Sequence, residues 1–467
     1  MIDLTHKQYL ISNRRIAPQG MVEFVFGEGC YLYAGFDLRV RKGITKRGKQ
    51  YIVLGEAFCT DKYPKEIVED LESPDFQDSI SATRYWTGRW ALIVDSILIT
   101  DASGLMSAFY QNDGADWMVS SSLALISNQL GLNCDKTVSK IGLTWCLLPY
   151  TIQNSVKLLF CTQKMHIDSS LSTEFCNRYE EEKDLSFEER VNKITQCLTI
   201  GIKNIEHFSG RIIWLALTAG KDSRLTFAAA LSSGVHFDTY TAEHQHMSVA
   251  DRKMPAKLSN TYGVQHHCLR KEKYSVSKYK EYCSFSGNNS LGADAEFYAT
   301  GQFAQIPDNA VVIRSGLFEA GQTYARRIAG GDRDTFIQGI RAYYKDDFQT
   351  PAQDAAFNEW LDYQDKYAMF GIDIRDRFYL EQRVNGWVAA IEQSLDINAF
   401  VSIQIANSSV ILGSLLYATQ DDRKNLHLSV ELIRHLNEKL LDFPINKPSW
   451  RDMVRNAFFG LKKRLHL

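Results

Sequence analysis

The chain has 467 residues, 45% of them apolar, and a formal net charge of −2. This length predicts roughly two to three domains, and the apolar fraction is sufficient for sizeable cores. With so little net charge and no basic blocks in the body of the chain, nothing indicates nucleic-acid binding. The nine cysteines are scattered without a C-x-x-C pair, which fits reduced thiols in a cytoplasmic protein. The polar first residues and the lack of any run of ~18 apolar residues predict neither a signal peptide nor a membrane-spanning helix.

The pattern along the chain changes from strands to alternating strands and helices. Residues 1–178 read as a β-rich region with dense turns, and residues 87–110 alternate strands and turns. A charged linker at residues 180–184 and an amphipathic helix over residues 186–206 follow. From about residue 209 strands alternate with helices, and from residue 323 the pattern is mainly helical. The predicted fold class is α/β and α+β: a β-rich part, then an α/β parallel sheet with a helical C-terminal part.

The most informative stretch is residues 215–224 (LALTAGKDSR), where an apolar strand meets a small polar turn that opens an alanine-rich helix. The first amides of such a helix have no internal partner, and its dipole places positive charge at the turn, so phosphate oxygens are favoured ligands. Thr218 adds a hydroxyl donor, Gly220 permits close backbone approach, and Ser223 can cap and donate. A carboxylate in this turn makes sense beside a cation, so Asp222 is expected to hold Mg²⁺ against a polyphosphate.

A Walker A interpretation of this turn fails. That motif needs glycine at position 215, where the chain has leucine, and Ser or Thr at position 222, where it has aspartate. The turn instead resembles the pyrophosphatase loop, Ser-Gly-Gly-x-Asp-Ser, of enzymes that split ATP between its α and β phosphates. The matching residues, predicted to bind ATP, are Thr218, Ala219, Gly220, Lys221, Asp222 and Ser223. Alanine for glycine requires that position 219 avoid positive φ, and the alternative interpretation is an ordinary serine-capped helix after a strand.

Later stretches follow in the order expected for one family, and the chain resembles the asparagine synthetases. Residues 237–241 read as the second parallel strand. The resemblance implies that this strand contacts adenine, which makes Thr241 a nucleotide-binding candidate. Residues 251–267 read as a helix, a turn and a strand start. In residues 310–321 (AVVIRSGLFEAG), Ser315 and Gly316 match a family motif and are predicted to contact the nucleotide. Glu319 is the only carboxylate left there. It is predicted to replace the family's second, catalytic magnesium-binding acid; the alternative is a favourable partner of a helix dipole.

The N-terminal part resembles the amidotransferase domain of the same family. Its pattern is matched by Gly88, Ala91, Asp101, Gly104, Tyr110 and Ser120 to Ser122. Residues 157–168 resemble the edge segment that closes its sandwich. The resemblance implies an Ntn-type sandwich over residues 1–178, a linker helix over residues 179–208 and an ATP-pyrophosphatase domain over residues 209–467.

The catalytic start of such amidotransferases is missing. Glutamine-hydrolysing members carry a nucleophilic cysteine directly after the initiator methionine, where the free α-amine serves as its base. This chain begins Met1-Ile2-Asp3, and its first cysteine, Cys30, is interpreted as a buried structural thiol. We therefore expect the architecture without ammonia production, as in the related β-lactam synthetases and lasso-peptide cyclases. The acceptor is then free ammonia or an amine-bearing substrate that binds directly.

Three further segments towards the C-terminus carry predictions. Residues 373–417 include YLEQRVNGW and LDINAF, which either shape an acceptor pocket or pack the core. Residues 442–450 (DFPINKPSW) resemble the family's basic loop, with Lys447 as the candidate catalytic lysine and a solvated loop lysine as the alternative. Residues 450–467 show a basic amphipathic pattern, typical of a helix that docks on protein or contacts an anionic membrane surface.

The resemblance implies a ligase that forms amide bonds with ATP and Mg²⁺ as cofactors. A substrate carboxylate is adenylated with release of pyrophosphate, and an amine then displaces AMP. The small-molecule substrates are left open between a peptide, an amino acid and a sugar acid, and a homo-oligomer is left open as well. The alternative is a degenerate scaffold that binds a nucleotide or a partner and turns over nothing.

Overall fold

The computed structural model describes residues 2–27, 29–132, 147–153, 155–244, 247–289, 293–322, 332–343, 351–367 and 371–445. Within these ranges the chain forms two antiparallel sheets of six strands each, followed by one parallel sheet of five strands. Helices accompany the parallel sheet and follow it towards the C-terminus. The predicted fold class, α/β and α+β, is confirmed.

The two antiparallel sheets form a sandwich. Their strands are β1 (Tyr9–Ser12), β2 (Met21–Val25), β3 (Tyr31–Gly35), β4 (Val40–Ile44), β5 (Gln50–Cys59), β6 (Trp86–Val94), β7 (Ile97–Thr100), β8 (Phe109–Asn112), β9 (Trp117–Ser120), β10 (Lys157–Leu158), β11 (Gln163–Ile167) and β12 (Leu171–Phe175). The strand orders are β10-β8-β9-β1-β3-β2 and β12-β11-β7-β6-β5-β4. Apolar side chains of β1 and β3 share one buried cluster with those of β5, β6 and β11, which holds the two sheets together.

The alternating strands predicted for residues 87–110 are confirmed as β6, β7 and β8, and β6 is buried along its whole length. The prediction of one edge segment at residues 157–168 is correct only for β10, which lies at the edge of the first sheet. β11 is the second strand of the other sheet, and β12 is its edge. The prediction fails there because the residues between β10 and β11 carry the chain from one sheet to the other.

A buried carboxylate holds the turn after β7. Asp101 accepts hydrogen bonds from the amides of Leu105 at 2.9 Å and Met106 at 2.7 Å. Gly104 has a φ of 72°, a conformation that favours glycine. The same carboxylate accepts a hydrogen bond from Asn407 at 2.8 Å, so this turn also joins the sandwich to the second region.

The second region is built on the parallel sheet. Its strands are β13 (Ile212–Ala216), β14 (Phe237–Ala242), β15 (His266–Leu269), β16 (Ala310–Arg314) and β17 (Val401–Gln404), in the order β15-β14-β13-β16-β17. Every neighbouring pair is parallel. The predicted strands β13 to β16 are confirmed. β17 lies in the part predicted as mainly helical, because its four residues give too short a pattern to be recognised between helices.

Helices occur in both regions. Those of the N-terminal region are α1 (Val68–Leu71), α2 (Ser79–Ala82) and α3 (Leu123–Leu130). Those that accompany the parallel sheet or follow it are α4 (Phe187–Ser209), α5 (Lys221–Ser233), α6 (Val249–Thr261), α7 (Val276–Phe285), α8 (Ala293–Ala299), α9 (Arg333–Tyr343), α10 (Pro351–Lys366), α11 (Ile374–Phe378), α12 (Ala389–Leu395), α13 (Ser409–Leu416), α14 (Gln420–Arg423) and α15 (His427–Asn437). A π-helical segment, Tyr379–Val388, joins α11 to α12. The helix, turn and strand start predicted over residues 251–267 are confirmed, as α6 and β15 with a turn between them.

α4 is the predicted amphipathic helix. It begins after Ser186, which forms a capping box with Glu189, and its apolar side chains join the buried cluster of β13 and α5. The charged linker before α4 contains a buried carboxylate. Glu182 is 1% exposed and pairs with Arg84 of the sandwich and, at 3.1 Å, with Lys193 of α4. This carboxylate therefore ties the linker to both regions.

A further apolar cluster joins the sandwich to helices far along the chain. It contains Leu10, Tyr33 and Phe109 from the first sheet together with Phe336, Trp360 and Phe378 from α9, α10 and α11. α9, α10 and α11 therefore pack against the sandwich, although they follow the parallel strand β16 in sequence. The domain limits at residues 178 and 208 stay a prediction.

Candidate functional site

A large cavity opens where the parallel strands end. Its volume is about 920 Å³, and residues that follow β13 and β16 contribute to its wall. Open parallel sheets bind ligands at this edge because strand ends and helix N-termini meet there. The predicted site residues in its wall are Thr218, Gly220, Lys221, Asp222, Ser223, Ser315, Gly316 and Glu319. The fold thus brings together two stretches that lie far apart in the sequence.

The turn after β13 is held by its own hydrogen bonds. The hydroxyl oxygens of Thr218 and Ser223 lie 2.9 Å apart, and the Thr218 amide donates to Ser223 Oγ at 3.0 Å. The Gly220 amide donates to Thr218 Oγ1 at 3.1 Å. Ala219 is not among the residues with positive φ, as alanine at this position requires. The turn therefore keeps its shape with alanine in place of the usual glycine.

A carboxylate that sequence reasoning missed supports the same turn. The Ala219 amide donates to Asp251 Oδ1 at 2.9 Å, and Ser248, the N-cap of α6, donates its hydroxyl to Asp251 Oδ2 at 2.7 Å. The S-x-x-D spacing of Ser248 and Asp251 is a helix-start signal that marks this position. Because the amides of residues 218–220 already donate within the protein, we expect a bound phosphate to meet the amides of residues 221–223.

Helix α5 begins at Lys221, and no side chain within the described ranges caps it. Its N-cap is Gly220, so Ser223 does not cap the helix as the sequence allowed but holds the turn instead. The first amides of an uncapped helix are donors for an anion, and the helix dipole adds positive charge there. The Lys221 side chain is 6% exposed and pairs with the Asp222 carboxylate. The start of α5 therefore combines amide donors, an ammonium group and a carboxylate.

The loop after β16 forms another part of the wall. Ser315 precedes a 3₁₀ turn, Gly316–Gly321, in which Glu319 is exposed at the cavity. Gln404, at the end of β17, accepts a hydrogen bond from the Gly316 amide at 2.8 Å, which fixes this loop to the neighbouring strand. Asp222 and Glu319 thus lie on two loops that line one cavity. That they share a cation stays a prediction.

A second cavity, of about 270 Å³, adjoins the first. Its wall includes the apolar side chains of Met247, Phe297, Phe303 and Phe400. Thr241 also lines it, is 7% exposed, and donates its hydroxyl to the Leu217 carbonyl at 2.6 Å. The second cavity thus combines aromatic and other apolar walls with polar side chains that include Asp251, Asp294 and Arg314, and it adjoins the turn after β13.

Arg314, the last residue of β16, lies where the two cavities meet. Its guanidinium is 3.3 Å from Glu392 Oε1 and 3.5 Å from Asp294 Oδ1. Glu392 is 1% exposed and also accepts hydrogen bonds from Ser402 at 2.7 Å and Gln404 at 2.8 Å. Burial acts to lower the pKa of Arg314, but Asp294 and Glu392 raise it overall, so the guanidinium stays charged. An arginine that ends the apolar run AVVIR was the signal for this residue, which sequence reasoning missed.

The sequence left open whether residues 373–417 shape a pocket or pack the core, and the structure shows one run in each role. The YLEQRVNGW run forms the π-helical segment, and its Gln382 and Asn385 side chains hydrogen-bond to backbone groups of the N-terminal part of the chain at 3.0 and 2.8 Å. It therefore packs between regions. The LDINAF run contributes Leu395 and Phe400 to the second cavity.

The sandwich anchors the segment that carries Phe400. Lys7 Nζ donates to the carbonyls of residues 398–400 at 2.6, 3.2 and 2.8 Å. Gln8 donates to the Asp396 carboxylate at 2.8 Å, and Arg89 of β6 forms an ion pair with the same group. Burial lowers the pKa of Lys7 to about 8. One wall of the second cavity is therefore held in place by the N-terminal region.

Cys30 is buried in the sandwich, as expected. Its exposure is 4%, and its sulfur lies 3.6 Å from the Ile167 carbonyl oxygen. Burial raises the pKa of the thiol, which keeps it protonated and weakly nucleophilic near neutral pH. At the start of the chain, Asp3 accepts hydrogen bonds from the amide and hydroxyl of Thr5 at 2.9 and 2.6 Å. Both groups therefore have structural contacts.

Two predictions fall outside the described residues. Lys447 lies there, and so does the basic segment at residues 450–467. Their roles stay predictions. In the described part of the chain, no helix combines the length and the apolar character needed to cross a membrane.

No family model matches the chain, and no curated protein matches it. Among solved structures, it is similar to NMN synthetase from Francisella tularensis, with 13% identity, 45% of this chain and 92% of that chain covered, and a TM-score of 0.21. It is also similar to glutamine phosphoribosylpyrophosphate amidotransferase from B. subtilis, with 8% identity, coverage of 72% and 74%, and a TM-score of 0.23. An allosteric regulatory enzyme of purine biosynthesis has 7% identity, the same coverage and the same TM-score. These identities and scores are too low to support a conclusion about function.

Proposed function

We propose that this chain is an ATP-dependent ligase that joins a carboxylate to an amine and releases AMP and pyrophosphate. The observation that carries the proposal is the uncapped start of α5, which shares one cavity with Asp222, Ser315 and Glu319. This cavity continues into a pocket with aromatic walls. Helix amides favour a polyphosphate, and apolar walls favour a nucleoside base.

Adenylation is the first step of the proposed reaction. A carboxylate oxygen of the acid substrate attacks the α-phosphorus of ATP, and the bond from that phosphorus to the oxygen bridging to the β-phosphate breaks. Pyrophosphate leaves with the bonding electrons, and an acyl adenylate forms. We expect the amides of residues 221–223 and the hydroxyls of Thr218 and Ser223 to hold the pyrophosphate as its charge develops.

The donor set at the cavity fits a magnesium ion. Asp222 and Glu319 offer carboxylate oxygens, the hard ligands that Mg²⁺ prefers. The Asp222 side chain is 30% exposed, and Glu319 is exposed. These two residues would hold the ion, which supplies charge neutralisation at the polyphosphate. Lys221, paired with Asp222, provides a further positive charge in the same turn.

Amide formation is the second step. A neutral amine attacks the carbonyl carbon of the acyl adenylate, the bond to the AMP oxygen breaks, and the amine nitrogen loses a proton to a base. We expect the amine to come from a substrate or from free ammonia, because Cys30 is a buried, protonated thiol. Gln404 and Lys424, which also line the first cavity, are candidates for contacting the substrates.

ATP–pyrophosphate exchange tests the adenylation step. The full chain is assayed with panels of amino acids, peptides and sugar acids, and we expect exchange with at least one acid. Asp222→Ala should lower the rate about 100-fold or more, because it removes a ligand of the cation that neutralises the polyphosphate. Asp75→Ala, which changes an exposed aspartate of the N-terminal region, is the matched control and should leave the rate unchanged.

Two outcomes would contradict the proposal. Exchange that persists at the wild-type rate in Asp222→Ala would show that this carboxylate holds no catalytic cation. ATP binding by calorimetry without exchange for any acid would instead support the degenerate nucleotide-binding scaffold. The retention of Thr218, Gly220, Asp222 and Ser223 together in one turn favours the enzyme.

A further inference from the structure

The junction between the two cavities offers one charged side chain. Of the described residues, Ala216, Thr218 and Arg314 line both cavities. The Thr218 hydroxyl is already engaged with Ser223 at 2.9 Å and with the Gly220 amide at 3.1 Å. A ligand that spans both cavities therefore meets the Arg314 guanidinium midway along its length.

This guanidinium is oriented but not saturated. Its contacts with Glu392 and Asp294 are 3.3 and 3.5 Å, longer than the about 2.7 to 2.9 Å of a strong charge-assisted hydrogen bond. The Arg314 side chain keeps 25% of its surface exposed. An arginine has several N–H donors in a planar fork, so it can bind a further anion while both carboxylates keep it in position.

The two neighbouring carboxylates differ in their position relative to the cavities. Glu392 lines neither cavity, and it also accepts hydrogen bonds from the Ser402 hydroxyl and the Gln404 amide. Asp294 lines the second cavity and faces the Arg314 guanidinium at 3.5 Å. Of these two carboxylates, Glu392 therefore lies outside the space that a ligand would occupy.

From these contacts we infer that Arg314 binds the α-phosphate of the nucleotide, an inference that rests on the proposed function. With the nucleoside in the second cavity and the β- and γ-phosphates at residues 218–223, the phosphate between them lies at Arg314. Its phosphorus is the atom that the substrate carboxylate attacks. Arg314 thus stabilises negative charge where the reaction creates it, and its fixed position reduces the cost of reorganisation.

Binding of adenosine, AMP and magnesium pyrophosphate separates the three parts of the site. By calorimetry, the wild-type chain should bind AMP ~10-fold or more tightly than adenosine, since a charged hydrogen bond is gained. In Arg314→Gln this ratio should fall to about one, while the affinities for adenosine and pyrophosphate stay within about twofold. Such a pattern is specific to the α-phosphate, because adenosine lacks this phosphate and pyrophosphate corresponds only to the β- and γ-phosphates.

Two further variants control for folding, because Arg314→Gln leaves Asp294 and Glu392 buried without their cation. Arg314→Lys keeps the charge but loses the planar fork, and it should keep part of the AMP preference. The triple variant R314Q/D294N/E392Q removes the buried carboxylate charges as well. It should unfold in urea close to the wild-type midpoint and still bind AMP and adenosine equally.

The outcomes distinguish this inference from the proposed function. An AMP preference that survives in Arg314→Gln or in the triple variant overturns the role of Arg314 and leaves the proposed function standing. Equal losses of adenosine and AMP affinity would show that Arg314 only shapes the pocket, which also overturns the inference. If the wild-type chain binds neither ATP nor AMP, the proposed function fails and the inference fails with it.

Discussion

The sandwich and the parallel-sheet region differ in what their buried polar groups contact. In the sandwich, the Asp101 carboxylate is occupied by amides of its own turn, and the Cys30 thiol packs among apolar side chains. In the second region, polar side chains gather at the strand ends around a cavity of about 920 Å³. The two regions therefore differ at these groups: Asp101 and Cys30 are closed off by their own surroundings, whereas Asp222 and Glu319 face a cavity.

The two regions are nevertheless linked through the segment at residues 392–400. Lys7, Gln8 and Arg89 of the sandwich bind this segment. The segment in turn carries Glu392, which orients Arg314, and Phe400, which lines the second cavity. The sandwich therefore supports the geometry of the candidate site, although none of its described residues lines either of the two cavities.

Removing Asn407 is the strongest way to break the link between the regions. Its side chain donates to the Gly88 carbonyl at 2.6 Å and to Asp101 at 2.8 Å, and it accepts from the Ser103 hydroxyl at 2.7 Å. Asn407→Ala leaves these buried groups unpaired, so we expect the free energy of unfolding in urea to fall by about 3 kcal/mol. The exposed Asn128→Ala is the control, with a change below about 0.5 kcal/mol. An equally small change in Asn407→Ala would show that apolar contacts alone join the regions.

Lys7 allows the same link to be probed by pH. Burial lowers its pKa from the usual 10.5 to about 8, so between these values the unfolded chain binds more protons than the folded chain. The free energy of unfolding should therefore rise with pH across this window, by about 3 kcal/mol at most, as the cost of burying the charge disappears. Lys7→Met should lack this rise in urea titrations at successive pH values. Identical pH profiles for the two proteins would exclude Lys7 as its source.

Replacing Cys30 should have the smallest effect on stability. It tests whether the sandwich catalyses a reaction of its own. Cys30→Ala should cost roughly 1 kcal/mol of unfolding free energy and leave the exchange rate within about twofold. Neither protein should release glutamate from glutamine, since the thiol is buried and protonated. A glutaminase activity that disappears in Cys30→Ala would remove the contrast between the two regions.

Much of the fold could be predicted because its signals are local. Ser186 and Glu189 mark the start of α4, and the apolar run before Thr218 marks the central strand β13. The loop of residues 218–223 was recognisable because hydroxyl, glycine and carboxylate positions follow one another without a gap. β17 and the edge strand β12 were missed, since four or five residues carry little pattern of their own.

The site residues Asp251 and Arg314 were not predicted from the sequence for a different reason. Asp251 supports the turn from 32 positions away, and Arg314 is oriented by carboxylates from α8 and α12. Glu182 lies in the charged linker, and it pairs with Arg84 and Lys193 from two other segments. None of these partners is visible in the pattern around the residue itself.

The sequence by itself determined the order of strands and helices, the turn that opens α5, and the chemical character of the residues in that turn. These follow from periodicity, turn residues and helix-start signals, which act over a few neighbouring positions. Only the tertiary structure decided that Glu319 shares a cavity with Asp222, that Arg314 stands between two cavities, and that Lys7 holds the segment beside them. Such contacts arise when parallel strands end at a common edge and distant segments pack together, so no local pattern encodes them.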